Sequence, residues 1–155
     1  MTYEDVYNAI VQGDEESFHG KIDDADLEKT SKSGKNLLGA AATVGRPEMA
    51  AAVIERNIQL DIQNGEGKTP LHLALEHESY DVARLLVKRG AALDIQDGYG
   101  NTPLMRAVFK GEIEMAKLLV EHGADPTTEN NGSQSPLDLA QEYGIQELVD
   151  ALTHG

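Results

Sequence analysis

A hexapeptide that returns at a fixed spacing constrains this chain more than any other feature. TPLHLA at residues 69–74 recurs 33 residues later as TPLMRA at 102–107, and again as SPLDLA at 135–140. One step back, NLLGAA at 36–41 keeps apolar residues at the matching positions. A constant period near 33 indicates one structural unit stacked several times, so the repeat decides the fold class before any local pattern does. Positions 33 residues apart are called a column below.

Each unit is predicted to contain two short helices and a polar loop. A threonine or serine followed by proline is typical of the start of a helix. The second helix of a unit is apolar along one side and ends at a glycine, as at Gly90 and Gly123. The stretches 64–67 and 97–100 are typical of tight turns with positive φ. We therefore interpret residues 1–155 as one domain of about five units, at roughly 4–35, 36–68, 69–101, 102–134 and 135–155.

These motifs resemble the ankyrin repeat over nearly the whole chain. The resemblance rests on Thr-Pro-Leu-His-x-Ala, a glycine nine residues after the threonine, an apolar second helix and Gly-Ala-Asp, all in register. It implies an all-α solenoid of stacked helix-turn-helix units with short β-hairpin loops, which binds other proteins on its concave face. It also implies that the motif histidine ties the loop to the start of the helix. Only His72 keeps that residue, so we expect the units with Met105 and Gly39 in its column to be looser.

The family's contact positions lie at the hairpin tips, at the exposed end of the first helix and late in the second helix. Carried over residue by residue, they predict a strip of partner-binding residues on the concave face, called the strip below. Aromatic residues at Tyr99, Phe109 and Tyr143 are expected to anchor a partner, although packing between helices is an alternative for Phe109. The strip consists of Val44, Arg56, Glu66, Lys68, Glu76, His77, Arg89, Tyr99, Asn101, Phe109, Lys110, His122 and Tyr143.

The formal net charge of -14 is unevenly distributed. Residues 1–30 contain nine acidic and two basic residues, which is half of the net charge. This pattern argues against nucleic acid as a partner, because nucleic-acid binding needs a basic surface. It favours a basic partner protein, or one that charge does not steer. The contact positions are by contrast rich in bases, with Lys32, Lys35, Arg56, Lys68, Arg89 and Lys110 against Glu66, Glu76 and Glu142.

No pattern in the sequence predicts catalysis, a cofactor or a metal site. The chain has no cysteine, and residues 65–69 lack the first glycine that a phosphate-binding loop needs. His72 and His77 are five residues apart, so they do not share a helix face as a metal-binding pair would. No apolar run approaches the roughly 20 residues that cross a bilayer. We expect a non-catalytic cytoplasmic protein that is monomeric when free and contacts no membrane.

Two hypotheses for the function remain open. In the first, the protein is a stoichiometric inhibitor or adaptor that binds a partner on the strip, such as a bacterial toxin-immunity protein or a short kinase inhibitor. In the second, the acidic first unit mimics nucleic acid and blocks a basic active site through Asp23, Asp24 and Asp26. Binding by charge mimicry should weaken steeply as salt rises, whereas binding on the strip should not.

Overall fold

The computed structural model describes residues 3–24, 34 and 36–154. The predicted all-α fold is confirmed, because no residue in these ranges belongs to a β-strand. Lys32, Lys35 and Asp26 lie outside the described residues. Besides a 3-10 turn at Ile22–Asp24, the helices are α1 (Tyr3–Gln12), α2 (Glu15–Lys21), α3 (Leu37–Val44), α4 (Pro47–Ile54), α5 (Pro70–Glu76), α6 (Tyr80–Lys88), α7 (Pro103–Lys110), α8 (Ile113–Glu121), α9 (Pro136–Tyr143) and α10 (Gln146–Thr153).

The helices form two packed layers. In the first layer α1, α3, α5, α7 and α9 each pack against the next, and in the second layer α4, α6, α8 and α10 do the same. The two helices of each predicted unit also pack against each other. A short helix with one apolar side cannot bury that side alone, so each unit depends on its neighbours for its core.

Two columns show how the layers fit together. Leu38, Leu71 and Leu104 are completely buried and supply bulk at equivalent places in three units. The alanine column that includes Ala41 and Ala74 is also completely buried in units two and three. Small side chains let neighbouring helices approach closely, as the alanine-rich runs of the sequence predict.

The predicted helix starts are confirmed in the last three units. The side chains of Thr69, Thr102 and Ser135 accept hydrogen bonds from the backbone N–H three residues later, and proline follows each of them. In unit two Asn36 has the same role, accepting from the Gly39 N–H at 2.7 Å. Each cap satisfies a backbone donor that the helix itself cannot pair.

The turn between the two helices of a unit needs a residue with positive φ. Gly45, Gly111 and Gly144 occupy this column with φ between 67° and 69°. Unit three has Glu78 there, with φ 58°. A residue with a Cβ pays a steric cost in this left-handed conformation, so Glu78 strains the α5–α6 turn.

The loops between units are hairpin-like, but they differ from the prediction in containing no β-strand among the described residues. Each loop is closed by one backbone hydrogen bond of 2.9 Å, for example from Asn64 N–H to the Lys68 carbonyl. An asparagine or aspartate side chain at the first loop position accepts two further N–H groups, as Asn64 does from Glu66 and Lys68. One closing bond is too short a ladder to form a strand pair.

Successive loops are joined to each other by backbone hydrogen bonds. Gly98 N–H donates to the Glu66 carbonyl at 2.9 Å, and one unit later Asn131 N–H donates to the Tyr99 carbonyl at 3.0 Å. Side chains repeat the pattern, since Gln63 Nε2 donates to the Gln96 carbonyl. The loops therefore form a continuous hydrogen-bonded row along the molecule.

Glycine allows this close approach of the loops. A Cβ at Gly67 would lie 2.8 Å from Gly98 N, and a Cβ at Gly100 would lie 2.7 Å from Asn131 N. Both glycines also have positive φ, 75° and 77°. Ser133 takes the same column with φ 58°, where no further described loop packs against it.

We expect Gly100→Ala to destabilise the protein much more than Gly111→Ala. Both substitutions place a Cβ at positive φ, which costs about 1–2 kcal/mol. Only the Cβ at position 100 would also collide with the next loop, whereas the space around Gly111 is open. Urea denaturation of the two variants should differ by more than about 1 kcal/mol in the free energy of unfolding. Equal losses would contradict the contact between loops as the reason for the glycine.

We expect Glu78→Gly to stabilise the protein by about 1 kcal/mol, because it removes the strain of a side chain at positive φ. The reverse change in the same column, Gly111→Glu, should destabilise it by a similar amount. Thermal denaturation of both variants beside the parent protein measures the two effects. Two shifts of the same sign would show that φ does not decide the stability of this turn.

Candidate protein-binding surface

Each loop is counted below with the helix pair that follows it, so unit four comprises the loop at 97–101 together with α7 and α8. Most of the strip lies where the loops approach the C-terminal ends of the first-layer helices. In unit three the Lys68 ammonium group bridges this gap, with Nζ 3.0 Å from a carboxylate oxygen of Glu66 and 2.9 Å from one of Glu76. In unit five Gln134 Nε2 spans the same gap to Glu142 at 2.9 Å. Polar bridges therefore connect loop and helix on both sides of unit four.

The electrostatics of the unit-three bridge follow from its burial. Burial alone would lower the pKa of Lys68, but hydrogen bonds to Glu76 and Glu66 outweigh it and raise that pKa above its ordinary value. Burial opposes ionisation of Glu76 as well, yet the Lys68 ammonium group holds the pKa of Glu76 below its usual range. Lys68 is only 7% exposed, so its ammonium group interacts with carboxylates of the protein itself and is largely shielded from solvent.

Unit four has no such bridge. The columns of Lys68 and Glu76 hold Asn101 and Phe109 there. Asn101 is buried, and its Oδ1 accepts a hydrogen bond from Asn130 Nδ2 at 2.9 Å. Phe109 is 40% exposed. An aromatic ring thus faces solvent where the neighbouring units close the gap with hydrogen bonds.

A buried ion pair lies beneath this ring. Arg106 Nη2 donates to Asp97 Oδ2 at 2.7 Å, and the Asp97 side chain is fully buried. Burial would raise the pKa of Asp97, but the Arg106 guanidinium and the N–H groups of Asn101 and Tyr99 hold it below its usual range. The Arg106 guanidinium carbon lies 6.0 Å from the centre of the Phe109 ring, within reach of a cation–π contact.

The exposed aromatic residues coincide with the strip. The large hydrophobic side chains that are exposed among the described residues are Val11, Tyr99, Phe109 and Tyr143, and all but Val11 belong to the strip. Tyr99, at the tip of the loop before α7, is 68% exposed. Tyr143 ends α9 and is 45% exposed. The alternative for Phe109 is packing between helices, but the residue is not buried there and is 40% exposed.

Other members of the strip lie away from these rings. Val44 and His77 line a cavity of about 330 Å³ between the α3–α4 and α5–α6 turns. Arg89 and His122 end the second-layer helices α6 and α8. In the described part of the chain these two side chains make no hydrogen bond or ion pair with a loop or first-layer helix. The late second-helix members therefore lie on the other helix layer from Phe109 and Tyr143.

Half of the lysine and arginine residues of the strip form ion pairs within the protein. Lys68 is paired with two glutamates, and Arg56 forms an ion pair with Asp23 of the first unit. In the described ranges, Arg89 and Lys110 are the basic members of the strip without a carboxylate at ion-pair distance. The ion pair with Arg56 also involves Asp23, which is one of the three aspartates expected to mimic nucleic acid. Asp26 lies outside the described residues.

Two family models for ankyrin repeats match the sequence. One describes three copies of the repeat and matches residues 6–97, and the other describes many copies and matches residues 86–140. The first match alone covers more than half of the 155 residues. The chain belongs to the ankyrin-repeat family. No curated protein matches it at significant similarity.

Ankyrin repeats are protein–protein interaction modules. None of the described helices is both long and apolar enough to cross a membrane. No group of three or more histidine, aspartate or glutamate residues in the described ranges is placed to hold a metal ion.

Sequence reasoning missed Asp97 and Arg106 of this ankyrin protein. A comparison by column would have found them, because Asp97 stands where the other units have Asn64 and Asn130, and Arg106 where they have leucine. An aspartate and an arginine that both depart from their columns within one unit are a signal for an ion pair.

The motif histidine has the predicted role and a further one. His72 Nδ1 accepts from Thr69 N–H at 3.1 Å, which ties the loop to the start of α5. Because Nδ1 accepts, the proton is on Nε2, which donates to the Asn101 carbonyl of the next unit at 2.8 Å. His72 is completely buried, so one neutral imidazole joins two units.

We expect this imidazole to make stability depend on pH on the acidic side of neutrality. Burial lowers the pKa of His72, so the unfolded chain takes up a proton near pH 6.5 where the folded chain does not. The free energy of unfolding should therefore fall as the pH drops below about 6.5. Urea denaturation at pH 7.5 and 5.5 measures the loss. His72→Met, which copies Met105, should reduce it, and an undiminished loss in that variant would assign it to other groups.

Proposed function

We propose that this ankyrin-repeat protein is a non-catalytic inhibitor or adaptor that binds one partner protein stoichiometrically on the strip. The observation that carries the proposal is the placement of the exposed rings Tyr99 and Phe109 on unit four and of Tyr143 at the end of α9 in unit five. Large aromatic side chains exposed beside charged groups are the usual anchors of a protein interface. Tyr99 and Phe109 lie on unit four, where Asn101 and Phe109 stand in the columns that form a polar bridge in units three and five.

The size of the strip fits a standard interface. Stacked helices lie about 8–10 Å apart, so four neighbouring units extend over roughly 40 Å. A typical stable interface buries about 800 Å² on each partner. With Lys68 and Arg56 already paired inside the protein, apolar contact rather than charge is the expected source of affinity. Such a partner should remain bound at high salt, which distinguishes this function from charge mimicry by the first unit.

We expect the double substitution Tyr99→Ala and Phe109→Ala to weaken partner binding by more than about 2 kcal/mol. The fold should persist, because both side chains are exposed. The wild-type protein is first used to capture its partner from cells of its own source. The affinity of the purified partner is then measured by calorimetry for both proteins at low and high salt.

A matched control carries Arg84→Ala and Lys88→Ala on the second-layer helix α6, and it should bind as the wild type does. Unchanged affinity of the Tyr99 and Phe109 variant would refute this site. Affinity that disappears at high salt in every variant would instead favour the acidic mimic.

A further inference from the structure

The aspartate of unit four carries a charge that its loop does not need. Asp97 Oδ1 accepts the N–H groups of Tyr99 and Asn101 at 2.9 and 3.0 Å. In the next unit Asn130 does the same with its amide oxygen, accepting from Gly132 at 2.9 Å and from Gln134 at 3.1 Å. An uncharged side chain therefore suffices to shape this loop. The second carboxylate oxygen of Asp97 is what distinguishes unit four, and it binds Arg106.

Arg106 is equally exceptional in its own column. Leu73 and Leu139 are the corresponding residues of units three and five, and both are buried. Removing a guanidinium group from water is costly, and Arg106 Nε is buried without a hydrogen-bond partner. A buried ion pair is weak evidence for a gain in stability, because apolar residues of similar size often do as well. The neighbouring units supply such residues, so the ion pair of unit four calls for another role.

The ion pair links the two exposed rings of unit four. One carboxylate oxygen of Asp97 holds the backbone of Tyr99 at the loop tip, and the other holds the Arg106 side chain on α7. The guanidinium of Arg106 in turn lies against the face of Phe109, at 6.0 Å from the ring centre. A continuous path of three contacts thus connects Tyr99 to Phe109 across the gap that units three and five close with a polar bridge.

We propose that Asp97 and Arg106 are positioning residues that fix Tyr99 and Phe109 relative to each other before a partner binds. The proposal rests on the function proposed above. Side chains that are already ordered lose less conformational freedom on binding, so the pair raises affinity without touching the partner. Tyr99 and Phe109 act as a preformed pair of rings, and unit four gains specificity that units three and five do not have.

The test gives unit four the residues of its neighbours. Asp97→Asn with Arg106→Leu copies the asparagine and leucine of units three and five, so the variant should fold with a melting temperature close to that of the wild type. The matched control is Asp81→Asn with Arg84→Leu, which removes an ion pair of 3.2 Å on α6 by the same substitutions. Carbon relaxation of the Tyr99 and Phe109 rings, measured by NMR without any partner, reports their order directly.

The binding probe is a peptide selected from a random displayed library on the wild-type protein and counter-selected on the Tyr99→Ala and Phe109→Ala variant. Loss of the ion pair should make the Phe109 ring more mobile and let the loop tip with Tyr99 move relative to α7, although an asparagine oxygen can still accept the Tyr99 N–H. Peptide binding should weaken about tenfold, because binding must then order both rings relative to each other. The α6 control should change neither quantity. Arg106→Lys keeps the charge but not the planar group against Phe109, so it should loosen Phe109 more than Tyr99.

Rings that remain as ordered in the Asp97 and Arg106 variant as in the wild type would overturn the proposal, whatever the affinity. Affinity that falls only in proportion to a lowered melting temperature would also overturn it, because the pair would then be part of the scaffold alone. Mobile rings with unchanged affinity would show that their order does not serve binding. Failure of the proposed function gives a different result from failure of this proposal. If the proposed function is wrong, the variant with Tyr99→Ala and Phe109→Ala keeps its affinity for the native partner.

Discussion

The backbone contact between successive loops is the constraint on which the rest of the structure depends. The tip of one loop donates to a carbonyl of the loop before it at 2.9–3.0 Å, and there is no room for a Cβ at Gly67 or Gly100. This contact sets the spacing between units, and the helices of both layers then stack at the same spacing. His72 adds a second tie at one junction through its bond to the Asn101 carbonyl. The loop members of the strip are therefore held at a fixed spacing by hydrogen bonds between their backbones.

On this regular frame, one difference between units is what they place between loop and helix. Lys68 and Gln134 bridge that gap in units three and five, and in doing so they use up their own polar groups. Unit four replaces the bridge with Phe109 above a buried ion pair. The candidate binding site is therefore an exception within the repeat. Units three and five have a polar bridge between loop and helix, and unit four has Asn101 and Phe109 in the same two columns.

The fold could be predicted from the sequence to the level of single helix caps, because each cap depends on neighbours three residues away. Thr69, Thr102 and Ser135 all cap as expected. The strip was predicted less completely. Tyr99 and Phe109 are exposed as expected, but Lys68 and Asn101 are buried and paired. Whether a polar side chain faces solvent or a partner within the protein depends on residues far away in sequence, which a column position alone does not reveal.

By itself, the sequence determined the period, the helix pairs and the glycines at positive φ, since local sterics and hydrogen bonds decide these features. It even marked Glu78 and Ser133 as exceptions within glycine columns. Tertiary structure alone decided which charges remain available. Arg56 is taken by Asp23 and Arg106 by Asp97, in each case across a distance in sequence that stacking or loop closure brings together. Whether a charge is available to a partner depends on its neighbours in space, so the strip presents fewer free bases than its sequence suggests, beside three exposed aromatic rings.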